Sequence, residues 1–128
     1  MSAPSKTAIV ILSDPASGSQ EALGRLFNAL FLAYELHEKG RQPAVIFQGA
    51  GTRWVTELMS PTHPAHALFQ AVQKTVVGAC GGCADVFGAT AGVEASGVAI
   101  VREKAIPGTT GIADLSKYLD EGYHLVTF

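Results

Sequence analysis

Apolar residues along this chain switch between short unbroken runs and stretches spaced three or four apart. Residues 7–12 (Thr-Ala-Ile-Val-Ile-Leu) form an unbroken run, the pattern of a strand buried on both faces of a parallel sheet. A loop follows at 13–19. Leu23, Leu26, Phe27, Leu30 and Tyr34 then recur at helical spacing, which predicts a helix over about 18–39, closed by Gly40. Residues 43–47 read as the second strand and Gly49-Ala50-Gly51 as its exit turn. A short helix is expected over 52–59, stopped by Ser60-Pro61, and another begins with Pro64 in its first turn and runs to Gln73. The stretch 75–88 starts as a β-branched run, passes through both cysteines of the chain, and continues with a helical apolar pattern. Its strand delivers Cys80. Residues 98–101 read as a strand, 106–111 as a loop, 112–119 as a helix ended by Gly122, and 123–128 as a last strand. Strands alternating with helices predict a three-layer α/β/α fold: a mainly parallel five-stranded sheet with helices on both faces. In such sheets ligands and chemistry gather at the carboxyl ends of the strands. Those ends carry Ser13-Asp14, Gln48-Gly49, Cys80 and the Arg102-Glu103 region.

The 128 residues suit one domain spanning 1–128, undivided by linker or repeat. Charged residues make up 16%, against roughly a quarter in an average domain. The deficit is local: over 58–101 only Lys74, Asp85 and Glu94 are charged. Such a stretch is either a face covered by another subunit or simply a well-buried strand and helix. The net charge is −2 and no basic run appears, so nucleic acid is not an expected partner. No apolar run approaches the roughly 20 residues that span a bilayer, and residues 1–6 are too short and polar for a secretory signal. A cytoplasmic protein is expected. In a reducing compartment, two cysteines three positions apart point to reactivity or metal binding rather than to a structural staple.

Cys80 is placed where a strand ends and a helix begins. The first N–H groups of a helix lack internal partners and favour a thiolate over a thiol. Gly81 and Gly82 would leave those groups unscreened, and Cys83 lies close enough on a helical turn for its sulfur to meet that of Cys80. The pair could shuttle disulfides as in thioredoxin-like proteins, although it falls late in the chain for that fold, or be two buried small apolar residues. His63 and His66 supply, with the cysteines, the ligand types of a tetrahedral Cys2His2 zinc site, provided both histidines turn toward the thiols. The loop at 13–19 stands where flavodoxin-like folds hold a phosphate, but Asp14 would repel one. Ser17 followed by Gln20 fits a helix-capping box that needs no ligand, so no cofactor is expected. Trp54 reads as a cover for a site or as ordinary core. Neither His37 nor His124 has a nameable partner, and no Ser-His-Asp triad assembles.

The chain resembles the DsrE/DsrF-like proteins, which include subunits of sulfur-relay complexes used in sulfur oxidation and tRNA thiolation. Cys80, Ala84 and Gly88 match that family's Cys-x-x-x-Ala-x-x-x-Gly spacing. The long first helix ending in Lys39-Gly40, the Gly49-x-Gly51 turn, the Leu115-x-x-x-Leu119 helix and the closing Leu125-Val126-Thr127-Phe128 match as well. Cys83-Ala84 and Phe87-Gly88 place it near a Cys-x-x-Cys-containing subgroup. The resemblance implies a persulfide on Cys80 received from a protein sulfur donor and passed to a protein acceptor, as in a sulfurtransferase or sulfur carrier. It also implies a homo-oligomer, trimeric or hexameric. Cys83 is an addition to the single-cysteine pattern, and attack by it on a Cys80 persulfide would release hydrosulfide. The alternative is a non-enzymatic oligomeric binding or redox-sensing module whose Cys80/Cys83 pair forms a disulfide or binds zinc.

Overall fold

The structure is a computed structural model and describes residues 6–128. Five parallel strands form its sheet: β1 (Lys6–Ile11), β2 (Gln42–Phe47), β3 (Val76–Cys80), β4 (Ile100–Val101) and β5 (His124–Thr127). Their order is β4-β3-β2-β1-β5. Every pairing is parallel, as unbroken apolar runs require of strands covered on both sides. The helices are α1 (Gln20–Glu38), α2 (Trp54–Leu58), α3 (His66–Ala71), α4 (Gly81–Val86), α5 (Thr90–Ser96) and α6 (Ser116–Asp120).

The two faces of the sheet are unequal. On the first, Ile9, Ile11, Val45, Phe47 and Ala79 pack against Leu26 and Leu30 of α1, Val55 and Leu58 of α2, Phe69 of α3 and Val93 of α5. On the second, Ala8, Ala44, Ile46 and Cys80 are covered by Ala113 and Tyr118, with Ile112, Leu115 and Tyr123 at the margin. Among the described residues the one regular helix there is α6, held by an edge-to-face stack of Tyr118 on Tyr123 at 5.0 Å. An irregular segment, 102–115, supplies the rest of the cover.

β3 carries a local irregularity that decides where its side chains point. Val45 pairs with Val76 and Ile46 with Gly78, so Val77 is an extra residue. Gly78 has a φ of +153°, and a Cβ there would lie 2.5 Å from the Ala99 oxygen; only glycine fits. From this point Ala79 joins the thick face and Cys80 the thin one.

Several expected boundaries move. The Cβ-free Gly88, at φ +69°, ends α4 and separates it from α5, so the helical pattern after the cysteines is two helices. The predicted helix over 112–119 shrinks to α6, because the Ile112 backbone is committed to an antiparallel bridge with Lys104. The strand at 98–101 keeps only two residues. Residues 49–53 form a 3-10 turn before α2. Ser19, not Ser17, caps α1, its hydroxyl accepting from the Ala22 N–H at 3.0 Å. Among the described residues, no helix is long and apolar enough to cross a membrane.

Candidate functional site

Cys80 is the last residue of β3 and directly precedes α4. It stands at the strand-to-helix junction as expected, and it is 0% exposed in the isolated chain. Cys83, one helical turn on, is partly exposed. Both thiols are free, and Cys83 packs against the buried cluster that holds Cys80. The Cys83 thiol is pushed up to about 11, first by burial and then by its hydrogen bond to Cys80, with the Gly49 N–H working in the opposite direction. The outer thiol is therefore predominantly protonated at neutral pH.

The two glycines after Cys80 do not expose the helix start. Gly82 N–H donates to the Gly111 oxygen at 2.8 Å. A Cβ on Gly82 would come within 3.0 Å of Ile112, and one on Gly81 within 2.5 Å of the Arg102 side chain. Their small size admits segment 102–115 against α4 and thereby roofs the inner thiol. An ion pair fastens this roof: Arg102 donates to the two Asp85 oxygens at 2.9 and 3.2 Å. The Thr110 hydroxyl joins both, and Thr90 donates to Asp85 at 2.5 Å. Arg102 first, then the two threonine hydroxyls, hold the Asp85 carboxyl well below the usual carboxylate range. Lys117 pairs with Glu103 at the far side of the segment.

The other expected residues lie elsewhere. His63 Nδ1 accepts from the Ala65 N–H at 3.0 Å, and its ring stands edge-on to Trp54 at 6.1 Å. His66 Nδ1 meets the Leu58 carbonyl at 2.7 Å. Among the described residues no three His, Cys, Asp or Glu side chains come together as metal ligands; the Cys2His2 arrangement is not formed. Asp14 accepts from Ala16 N–H at 2.9 Å and pairs with Arg53 at 3.2 Å, so this loop is tied down rather than poised for phosphate. Trp54 is core, its indole N–H donating to the Ser13 carbonyl at 2.8 Å. His37 and His124 are exposed. The crevice between β1 and β5, where strand order reverses, is filled by the Phe128 carbonyl, which accepts from Leu12 and Ser13.

Gln48 and Arg102 lie at strand ends where chemistry was expected, but the sequence did not show what each of them does there. Asp85 and Arg102 are seventeen positions apart, too distant for a local motif. Gln48, at the end of β2, has an Oε1 that is buried without a hydrogen-bond partner. A cavity of about 420 Å3 lies at the opposite end of β3, beside Phe69, Lys74, Val77 and Val98. It contains neither thiol. A cavity of about 310 Å3 opens on the thin face beside Gln48, Ile112 and Leu115.

A parallel α/β layer fold with a dithiol at the carboxyl end of β3 is the class defined by these observations. Residues 5–128 match the DsrE/DsrF-like family, and the chain belongs to that family. Similar to it is the uncharacterized protein MJ0733 of Methanocaldococcus jannaschii, 30% identical over 101 residues, covering 79% of this chain and 78% of that protein. A solved structure of a conserved protein of unknown function, BT1422 from Bacteroides thetaiotaomicron, superposes with a TM-score of 0.63 over 96% of this chain and 94% of its own. At 19% identity that likeness concerns the fold alone.

Proposed function

We propose that this protein is a sulfur-relay type carrier, cytoplasmic and homo-oligomeric, that holds sulfane sulfur as a persulfide on Cys80. The observation that carries the reading is a pair of free thiols where β3 ends and α4 begins, Cys83 packed against the cluster that holds Cys80, in a family whose resemblance implies sulfur transfer. The Cys80 thiolate attacks the outer sulfur of a donor persulfide. A bond forms between Cys80 and that sulfur, the donor S–S bond breaks, and its electron pair leaves on the donor thiolate. An acceptor thiolate later takes the same sulfur by the reverse displacement, returning the Cys80 thiolate. No external oxidant is needed.

Cys83 keeps its proton and serves as a donor to the Cys80 sulfur. Attack by Cys83 on the inner persulfide sulfur, which would expel hydrosulfide and close a disulfide, needs the Cys83 thiolate and is therefore held back. Because Cys80 is sealed, transfer requires segment 102–115 to lift from α4, and the Asp85–Arg102 pair resists that motion. A second copy of the chain covers Val86, which is 76% exposed beside the thiols; a monomeric mass in solution would contradict this part.

Intact-mass analysis of reduced protein after exposure to inorganic polysulfide tests the reading. One added sulfur per chain is expected, absent in Cys80→Ala and present in Cys83→Ala. No uptake would overturn the carrier. Loss of two hydrogens without added sulfur would instead favour a redox module, a reading supported by the two free thiols at one junction.

A further inference from the structure

Gln48 follows β2 and stands one position beyond the Phe47–Ala79 pair, which makes Cys80 its neighbour across the sheet. Adjacent strands lie about 4.8 Å apart. Alternation sends both side chains to the thin face, where Ile46 and Cys80 share one cluster. Among the described residues, Gln48 Oε1 is the buried side-chain nitrogen or oxygen with no hydrogen-bond partner. Such an orphan works against folding and calls for a reason. Gln48 also walls the cavity of about 310 Å3. Ile112, Ala113 and Leu115 belong both to that wall and to the cluster holding Cys80. Gln48 thus lines a cavity on the sheet face that also holds the thiol.

We propose that the Gln48 carboxamide is the hydrogen-bond partner of the sulfur carried on Cys80, and that the cavity it lines is where a small persulfide or polysulfide donor is received. This rests on the reading of Cys80 as the sulfur-bearing residue. The second sulfur extends about 2 Å from the first, toward the neighbouring strand. Oε1 accepts the proton of a neutral Cys80–S–SH. After a half-turn of the amide, which exchanges its oxygen and nitrogen, Nε2 donates to the ionised terminal sulfur. Gln48 gives up no proton or electron in either case; its contact stabilises the loaded state and leaves the empty state with an unpaired oxygen.

Gln48→Leu tests this, since it keeps the bulk and removes the amide. Deleting an unpaired buried acceptor leaves thermal stability unchanged or raised. At a polysulfide concentration well below saturation the loaded fraction should fall by about tenfold, the size expected for one hydrogen bond to an ionised group. The pH midpoint for ionisation of the loaded persulfide, followed by its near-ultraviolet absorbance, should move upward with loss of the donor. A packing role would leave that midpoint in place. Gln48→Met gives the same comparison where the branched side chain does not fit. Wild-type protein that loads sulfur while both variants load equally, with the same midpoint, overturns this inference alone. Wild-type protein that takes up no sulfur overturns the carrier reading with it.

Discussion

The two faces of the sheet are built to different standards. The thick face is roofed by α1, α2, α3 and α5, with Phe47 and Phe69 edge-to-face at 6.2 Å and Leu26, Leu30, Val55 and Leu58 fully buried. The thin face is roofed by one five-residue helix and by segment 102–115, and it holds the inner thiol. Apolar burial secures the first; ion pairs, a two-residue bridge and glycine contacts secure the second. Surface ion pairs contribute little, typically below about 1 kcal/mol each, whereas filling a core position contributes several. The more firmly packed half therefore lies away from Cys80 and the more lightly fastened half lies over it.

The largest expected effect on this contrast comes from the thick face. Phe69→Ala should lower the unfolding free energy by about 3–5 kcal/mol in urea titration, whereas Ile112→Ala, at a partly exposed position on the thin face, should cost about 1 kcal/mol. Equal costs would erase the distinction. Next is Arg102→Ala, which unfastens segment 102–115 without touching the sheet. It should speed alkylation of Cys80, followed by peptide mass, several-fold, with global stability within about 1 kcal/mol of wild type. An unchanged rate would mean that another motion exposes the thiol.

Smaller effects concern pH. Cys83, raised from 9.0 to about 11, should react with iodoacetamide at pH 8 about a hundredfold more slowly than an unperturbed cysteine. Its rate should still be climbing at pH 10 and reach half its plateau near 11. Since burial raises this thiol in the folded chain, its contribution to stability is intact below pH 9 and is lost as pH rises toward 11. Asp85 has the opposite sign. Its carboxyl is depressed, so the Arg102 contact persists through the ordinary carboxylate range and fails only in stronger acid, which the reaction of Cys80 with a pyridyl disulfide, a reagent that attacks thiols in acid, would register.

Much of the fold was legible because β1, β2 and β3 are short, unbroken and buried on both sides, and because the apolar stripe of α1 keeps its period for nineteen residues. The thin face was less so. Leu115 and Leu119 share helical spacing with Ile112, but Ile112 is drawn into a backbone bridge that no side-chain pattern reveals. Gly81 and Gly82 were visible as small residues, yet what fills their space, Arg102 and Ile112, comes from far along the chain. The cysteine pair could be read from its spacing. The burial of Cys80 could not, nor the unpaired oxygen of Gln48, since both depend on strand register and on a one-residue irregularity at Val77.

Fragmentation mass spectrometry of the peptide containing both cysteines, taken shortly after reduced protein meets polysulfide, tests the central claim most directly. One extra sulfur atom located on Cys80, with Cys83 unmodified, is the predicted result. Extra sulfur found only on Cys83, or a Cys80 left bare while sulfur is in excess, would contradict it.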